Sequence, residues 1–319
     1  MRVFVAVVLI SMIAPALVLA QGNAPAGWQV QRDLAYGPHE LHRLDAYLQP
    51  GPGLHSVVVF VHGGGHVGGD KTGGGLHLVL PIVARAGYSI VSINYRFAPQ
   101  HRHPAQVDDA RLAVRWLRAN AARFRIDPRR LAVAGASAGG HTVTFLRFTS
   151  CPDNRAASDE VSRQSCRPQT VVNLFGTTDL RQRNDQLLLA LLGPNPSAEV
   201  KAEASPITHI SSEDPPTLSL HGTADFLVPY AQSVALHRAL SAAGVSNRLV
   251  RVEGGGHGND WNSLATAADW QRALVEWLDT YLMPEDLNSW MVEGTVPSCF
   301  GPGRAWRLEN ADDVYWHRQ

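Results

Sequence analysis

A serine in this chain has the setting of an activated nucleophile. Ser137 lies in Gly135-Ala136-Ser137-Ala138-Gly139, between a short apolar run and an apolar helical segment. A glycine on each side of the serine leaves room for the sharp, strained turn that exposes a hydroxyl between a strand and a helix. A serine hydroxyl is a weak nucleophile at neutral pH, so the chain must also supply a base and a group that orients it.

Candidates for both partners lie in loops that follow later predicted strands. Asp225 comes shortly after the predicted buried strand 217–221, and His257 lies in a glycine-rich loop after the final predicted strand. Serine, acid and histidine then occur in the order that suits a nucleophile on a strand-to-helix turn. We predict Ser137 as the nucleophile, His257 as the general base and Asp225 as the orienting acid. Asp179, which follows the preceding strand, is the competing candidate for the acid.

A second glycine-rich segment can supply the donors that this chemistry requires. The tetrahedral intermediate of acyl transfer carries an oxyanion, which preorganised N–H groups stabilise. The segment 62–65, His-Gly-Gly-Gly, directly follows the β-branched run 57–61 and matches the oxyanion loop of lipases and esterases. We predict the backbone N–H groups of Gly64, Gly65 and Ala138 as the oxyanion donors, and the histidine of the segment as a residue that holds the loop.

Other chemistries fit the sequence less well. Gly63-x-Gly65-x-x-Gly68 satisfies the dinucleotide-binding pattern after a strand, but no helix begins there and the next strand lacks a ribose-binding acid. Gly69-Asp70-Lys71-Thr72 resembles the end of a phosphate-binding loop, except that an aspartate separates glycine from lysine. His101-Arg102-His103 has residue types that bind metals but is typical of a solvated loop. Asp260 lies too near His257 in sequence to be the preferred acid. We expect no cofactor and no metal.

The elements that must position these residues alternate between strands and helices. This alternation indicates an α/β fold with a mostly parallel central sheet flanked by helices. Strands are expected near 28–35, 41–48, 57–61, 88–94, 131–134, 170–175, 217–221 and 249–252, and helices near 76–86, 106–122, 138–148, 230–243 and 264–282. The first two strands alternate apolar and polar residues, which predicts an antiparallel edge. Residues 150–169 are expected to form a surface insertion, and a segment centred on 187–192 a small cap insertion.

The beginning of the chain differs in composition from its body. The 319 residues carry no net formal charge and are 45% hydrophobic, which disfavours nucleic-acid binding and allows one large core. Residues 1–20 combine a basic start, an apolar stretch and a small-residue ending, which predicts a signal peptide. An uncleaved anchor is the alternative. We expect a secreted or periplasmic protein with its catalytic domain at 21–283 and no stable membrane anchor.

The end of the chain and the cysteines carry further expectations. Residues 284–319 are interrupted by proline and glycine but contain many large aromatic residues, so we expect a C-terminal extension docked on the body, with sugar stacking as an alternative role. An exported protein can hold disulfides. We predict a Cys151–Cys166 bond, which closes a short loop, and leave open that Cys299 replaces either partner.

Five segments together resemble one known family. They are His62 to Gly65, Asn94-Tyr95-Arg96-Phe97-Ala98-Pro99, Gly135-Ala136-Ser137-Ala138-Gly139-Gly140-His141, His221-Gly222-Thr223-Ala224-Asp225 and Gly256-His257-Gly258. With these residues the chain resembles the bacterial α/β-hydrolase carboxylesterases, in particular the feruloyl/acetylxylan-esterase-like group related to the hormone-sensitive-lipase family. The resemblance covers about residues 28–283 and implies the same triad. The family often has a large aromatic residue where this chain has His66, which predicts a more polar acyl pocket.

These observations predict a secreted serine carboxylic-ester hydrolase that acts through an acyl-enzyme. The resemblance implies short-chain acyl or aromatic esters of the acetyl or feruloyl type, including esters of carbohydrates. A serine peptidase of the same fold is the alternative, and a non-catalytic binding module on this fold is a third hypothesis. We expect a small-molecule or carbohydrate ester as substrate, no nucleic acid as partner, and a monomer or homodimer.

Overall fold

Eight strands form one sheet in a computed structural model that describes residues 27–148 and 156–283. The strands are β1 (Gln29–Ala35), β2 (Arg43–Leu48), β3 (His55–Val61), β4 (Ser89–Ile93), β5 (Ile126–Ala136), β6 (Thr170–Leu174), β7 (Thr217–Gly222) and β8 (Asn247–Val252). Their order across the sheet is β1-β2-β4-β3-β5-β6-β7-β8. β2 is antiparallel to β1 and β4, and the neighbouring pairs from β4 to β8 are parallel.

Helices connect the strands and cover both faces of the sheet. They are α1 (Leu76–Arg85), α2 (Ala105–Ala119), α3 (Ala121–Phe124), α4 (Ala138–Phe148), α5 (Glu160–Arg163), α6 (Gln186–Leu192), α7 (Ala198–Glu203), α8 (Ala231–Ala242) and α9 (Ala267–Leu282), with 3-10 turns at Pro206–His209 and Trp261–Ser263. The mostly parallel, helix-flanked sheet predicted from the sequence is confirmed. No helix in the described ranges combines the length and the apolar character needed to cross a bilayer.

The central strand β3 shows why this sheet is buried on both faces. Successive side chains of a strand point to opposite faces. Val58 and Phe60 pack in a cluster with α1 and α9, whereas Val59 and Val61 pack in a second cluster with α2 and α4. A continuous apolar strand is therefore favourable at this central position. It would be unfavourable at an edge of the sheet. The parallel strands around it bring the loops at their carboxyl ends to one edge of the sheet.

Strand β5 is longer than the sequence predicts. We expected a strand at 131–134, but β5 begins at Ile126, and its pairing with β3 is irregular over the added segment. The carboxylate of Asp127 accepts hydrogen bonds from the amide of Arg129 and the guanidinium of Arg130. These local bonds satisfy polar groups where the ladder is interrupted, so an Asp-Pro sequence that is typical of a turn lies inside the strand.

The predicted cap insertion lies between β6 and β7. It contains α6 and α7, and Leu188 and Leu191 of α6 pack against Ala98 and Leu180 in a small separate cluster. The predicted surface insertion at 150–169 is described only from residue 156 onward, where α5 supplies one helical turn.

Several expectations lie outside the described residues. The compact unit formed by the body ends at Leu282, and the signal peptide at 1–20 and the extension at 284–319 fall outside the described ranges. The side chain of Cys166 is fully buried, but Cys151 and Cys299 also lie outside those ranges. The domain limits at 21–283 and the disulfide therefore stay predictions.

Candidate active site

The turn between β5 and α4 presents Ser137 in a strained conformation. The residue has a φ of 55°, in the left-handed region that is costly for any residue other than glycine. Its amide donates a hydrogen bond of 2.9 Å to the carbonyl of Leu174 on β6, which helps to hold this conformation. A Cβ atom on Gly135 would overlap the backbone of Gly139. The glycines are therefore required by the close approach of strand and helix.

Ser137, His257 and Asp225 form one chain of hydrogen bonds. Nε2 of His257 lies 2.9 Å from Oγ of Ser137, and Nδ1 lies 2.7 Å from Oδ2 of Asp225. With the proton on Nδ1, the imidazole donates to the carboxylate and accepts from the hydroxyl. The structure thus brings together the three residues that the sequence singled out. The competing acid, Asp179, binds the guanidinium of Arg181 instead.

Both oxygens of the Asp225 carboxylate accept hydrogen bonds. Oδ1 accepts the amides of Leu227 and Val228, each at 2.9 Å. Burial by itself would raise the pKa of the Asp225 carboxyl, but hydrogen bonds from His221, His257 and the Val228 amide outweigh it and hold the pKa well below its usual range. Asp225 is therefore ionised at neutral pH, as a group must be that stabilises an imidazolium.

His221 is a contact of the acid to which the sequence assigned no role. Its Nε2 lies 3.5 Å from Oδ2 of Asp225 and 2.8 Å from the carbonyl of Val228, and Nδ1 lies 2.7 Å from Oγ of Ser233. The ring is fully buried. A histidine at the end of the buried strand β7 was the signal in the sequence, because a buried polar ring requires partners of this kind.

The loop that carries His257 is held from two sides. The amide of Gly256 donates to both carboxylate oxygens of Asp260 at 3.1 and 3.0 Å, and its carbonyl accepts a bond of 2.9 Å from the indole of Trp261. The ring of Phe175 packs on His257 with a centroid distance of 4.6 Å. Asp260, which the sequence placed too near His257 to be the acid, instead holds the backbone of its loop.

The segment 62–65 packs directly against the nucleophile turn. A Cβ atom on Gly63 would lie 3.3 Å from Cβ of Ser137, and the Gly63 amide donates to the carbonyl of Gly74 at 2.8 Å. Gly64 and Gly65 have φ values of 129° and 63°, which glycine adopts without strain.

The three predicted oxyanion donors flank the contact between Gly63 and Ser137. Gly64 and Gly65 follow Gly63 in the loop, and Ala138 follows Ser137. No bond to another described residue uses the amides of Gly64 and Gly65. Ala138 is the first residue of α4, where helix geometry leaves the amide without an intrahelical partner. The three N–H groups are therefore not engaged by the surrounding backbone, and their role as oxyanion donors stays a prediction.

His62 holds this loop from the inside of the protein. Its ring stacks on Tyr95 with a centroid distance of 4.4 Å, and its Nδ1 lies 2.7 Å from the carbonyl of Gly63. The Tyr95 hydroxyl donates to the His62 carbonyl at 3.0 Å. Burial lowers the pKa of His62 to about 4. A neutral, enclosed ring with these contacts supports the loop and does not face a substrate.

Three large apolar side chains are exposed in the cap and directly after Asp225. Leu187 of the cap is 44% exposed and lies directly over Gly65, where a glycine Cβ would be 2.8 Å from Cδ2 of the leucine. Phe226 and Leu227, which follow the triad acid, are 80% and 52% exposed. Large apolar side chains kept in solvent beside a reactive centre are suited to contact an apolar part of a substrate.

In the histidine-rich segment 101–103, which was expected to be a solvated loop, His103 is partly buried. The ring of His103 packs against Phe145 and His141 with centroid distances of 5.0 and 6.0 Å. Within the ranges that the structure describes, no group of three or more metal-binding side chains is arranged to hold an ion.

Known proteins are similar to this chain in sequence and in fold. Residues 44–240 match the family model BD-FAE. Esterase LipC of Mycobacterium tuberculosis is 32% identical over 248 residues, which cover 72% of this chain and 60% of that esterase. The chain spans about half the length, 49% and 53%, of two other curated relatives that it matches.

Solved structures extend the similarity to three dimensions. A truncated carbohydrate esterase from gut microbiota superposes with a TM-score of 0.71 at 25% identity, covering 82% of this chain and 100% of that one. An acetyl ester-xyloside bifunctional hydrolase from Caldicellulosiruptor lactoaceticus gives a TM-score of 0.68 at 28% identity, covering 75% and 87%. On this sequence match and this fold, the chain belongs to the BD-FAE family, in the carboxylesterase group of the α/β-hydrolases.

Proposed function

We propose that this protein is a serine carboxylic-ester hydrolase that works through an acyl-enzyme. The observation that carries the proposal is the hydrogen-bonded chain from Ser137 through His257 to Asp225, with distances of 2.9 and 2.7 Å. It lies against a loop with two amides that bind no other described residue. A nucleophile, an oriented base and oxyanion donors are the parts that acyl transfer requires.

In the acylation step, Oγ of Ser137 attacks the ester carbonyl while Nε2 of His257 accepts the hydroxyl proton. The carbonyl oxygen becomes an oxyanion and accepts hydrogen bonds from the amides of Gly64, Gly65 and Ala138. Asp225 stabilises the imidazolium that forms and keeps its ring in place. The intermediate then collapses, and the imidazolium gives its proton to the departing alcohol oxygen.

In the deacylation step, water takes the position that the alcohol has left. His257 removes a proton from this water, which attacks the acyl carbon of the ester on Ser137. The same amides stabilise the second oxyanion. Return of the proton to Oγ of Ser137 releases the carboxylic acid and regenerates the free hydroxyl.

The proposed substrates are short-chain acyl or aromatic esters, of the acetyl or feruloyl type, including esters of carbohydrates. The apolar surface of Leu187, Phe226 and Leu227 beside the site supports an apolar group on the substrate. Two proteins of similar fold are described as a carbohydrate esterase and an acetyl ester-xyloside hydrolase, which supports a sugar as the alcohol.

Replacing the nucleophile tests the proposal. We expect Ser137→Ala to reduce the kcat for p-nitrophenyl acetate by about 10⁵- to 10⁶-fold, because loss of a triad nucleophile removes the covalent route. A fluorophosphonate should label the wild-type protein and leave the variant unlabelled. A variant that keeps its activity would falsify the assignment. Wild-type turnover of aminoacyl-naphthylamides in preference to acetyl, feruloyl and longer acyl esters would favour a peptidase.

We also propose export of the mature protein, with secreted or periplasmic localisation, and a monomer or homodimer. The basic start, apolar stretch and small-residue ending of residues 1–20 support export. Amino-terminal sequencing of protein recovered from the periplasm or the medium should begin at Gln21. Recovery of an intact amino terminus in the membrane fraction would contradict export with cleavage.

A further inference from the structure

His66 is the residue on which the oxyanion loop ends, and its backbone is strained. Its φ is 64°, a left-handed conformation that costs a residue with a Cβ atom free energy and persists where surrounding contacts impose it. The carbonyl of His66 accepts a hydrogen bond of 2.8 Å from the amide of Ala98. Its side chain is only 6% exposed. Glycine would avoid the strain, so the imidazole itself needs an explanation.

The imidazole connects the loop to the helix that follows the nucleophile. Nε2 of His66 lies 3.3 Å from Oγ1 of Thr142, and this hydroxyl donates to the carbonyl of Ala138 at 3.1 Å. The ring also meets His141 edge to face, with a centroid distance of 5.0 Å. Thr142, His141 and Ala138 all belong to α4. A chain of two hydrogen bonds therefore links the end of the glycine loop to the first turn of α4.

The protonation state of the ring suits this connection. Burial, which is the main cause, lowers the pKa of His66 to about 3. The neutral imidazole has one N–H to donate and one nitrogen to accept. With the proton on Nε2, the direction of donation runs from the imidazole to the Thr142 hydroxyl and on to the Ala138 carbonyl.

We propose that His66 is a positioning residue that fixes the distance between the two halves of the oxyanion hole. One half is the loop with the amides of Gly64 and Gly65, and the other half is the Ala138 amide on α4. Oxyanion donors act over a narrow range of distance, about 2.7–3.1 Å from the developing charge. Two glycines give their own loop little stiffness, so an anchor at its end is needed. This inference rests on the proposed ester hydrolysis.

Two threonines of α4 provide a matched pair of variants. Thr142 and Thr144 are both fully buried, and each donates to the carbonyl four residues earlier, at 3.1 and 2.7 Å. Only Thr142 has a hydrogen bond with His66. Thr142→Val removes the hydrogen bond of His66 to the Thr142 hydroxyl, and Thr144→Val removes an equivalent helix bond without touching His66. His66→Phe removes the connection from the other side and keeps an aromatic ring.

The experiment measures kcat and KM for p-nitrophenyl acetate per active site, with sites counted by fluorophosphonate labelling. It also measures inhibition by an aryl trifluoromethyl ketone, whose serine adduct carries an oxyanion. We expect Thr142→Val and His66→Phe each to lower kcat by about tenfold or more with KM within about twofold, because donors to the oxyanion act in the transition state. The affinity for the ketone should fall by a similar factor, and Thr144→Val should change neither quantity more than about twofold.

The double variant adds a further check. If the two side chains act through one connection, Thr142→Val should have little additional effect in the His66→Phe background. Unchanged kcat and ketone affinity per labelled site in Thr142→Val would overturn the proposal, as would an equal loss in Thr144→Val. A wild-type protein that hydrolyses no ester would instead contradict the proposed function, so the two failures are distinguishable. If His66→Phe does not fold, the threonine pair still decides.

Discussion

The acid–base side and the oxyanion side of this site use histidine in opposite ways. On the acid–base side, His257 joins a serine hydroxyl to a carboxylate whose pKa is held well below its usual range. On the oxyanion side, His62 and His66 bind a carbonyl and a hydroxyl, and burial lowers their pKa values to about 4 and about 3. The carboxylate bonded to the first ring suits it to the proposed role of base. The other two rings are buried and have no hydrogen bond to a carboxylate, so they remain neutral.

This difference shows that the environment determines the role of each of these three histidines. A base must be able to gain a proton during the reaction, and a positioning ring must remain in one state. The distance between the two sides is short, because Gly63 packs on Ser137. Three experiments can break or sharpen the comparison.

The largest effect is expected from removing the charge on the acid–base side. Asp225→Asn should lower kcat for p-nitrophenyl acetate by about 10⁴-fold, because the amide does not stabilise the imidazolium and favours the wrong tautomer. Asp179→Asn is the matched control, since that carboxylate binds Arg181 and not His257. We expect its kcat to stay within about threefold of the wild type. A greater loss for the Asp179 variant would reverse the assignment of the acid.

The second effect concerns the pH dependence of stability, which the two buried histidines of the oxyanion side should produce. His62 and His66 have folded-state pKa values of about 4 and about 3, below the ordinary value of 6.5. Between pH 6.5 and about 4 the unfolded chain therefore binds more protons than the folded protein. The stability contributed by the neutral rings is complete above pH 6.5 and is lost on acidification through this window. The titration of each ring should lower the free energy of unfolding by about 2 kcal/mol between pH 7 and pH 5.

Urea unfolding at a series of pH values measures this slope. Asp225 should add nothing to it, because its pKa lies well below the window. The His66→Phe variant removes one of several such titrations, because burial also lowers the pKa values of His103 and His141. Its stability should therefore depend less steeply on pH than that of the wild type. Equal free energies of unfolding at pH 7 and pH 5 in the wild type would show that the two rings are not buried in the neutral form.

The smallest effect is expected from the solvent face of the oxyanion side. Leu187 lies over Gly65, so Leu187→Ala should open space beside the ester carbonyl. The ratio of kcat/KM for the hexanoyl ester to that for the acetyl ester should rise by about tenfold, the lower end of the effect that one methylene contact produces. Val200→Ala is the control, because Val200 is a cap residue of similar exposure, 39%. An unchanged preference across p-nitrophenyl esters from acetyl to octanoyl would exclude Leu187 from the acyl contact.

Local patterns were sufficient for most of the fold. The continuous apolar run of β3 follows from its burial on both faces, and β1 and β2 pair antiparallel as predicted. β2 is not an alternating edge strand, however, because it lies between β1 and β4 and residues 44–48 are buried. The start of β5 was not predictable in the same way, because the bonds of Asp127 keep an Asp-Pro segment in the strand. Such bonds depend on side-chain geometry that residue types alone do not determine.

For the site, the sequence was informative where a motif carries its own geometry. Glycines around Ser137 and after His62 reflect close backbone approach, and the structure has that approach. The hydrogen bond from His66 to Thr142 joins residues 76 positions apart. No pattern in either segment predicts this contact. For His221, the polar ring at the end of β7 was visible in the sequence, but its partner Ser233 on α8 was not. Cooperation between separate segments is therefore the part that needed coordinates.

The clamp on Gly256 has a consequence for how the protein responds to a substrate. Asp260 and Trp261 bind the backbone N–H and C=O of Gly256 in the free protein. The entropy of fixing the general base is thus lost once, when the chain folds, and not again in each encounter. Affinity for the ester can then be devoted to orienting its carbonyl, and the imidazole should show the same restricted motion in the free protein as in an inhibited one.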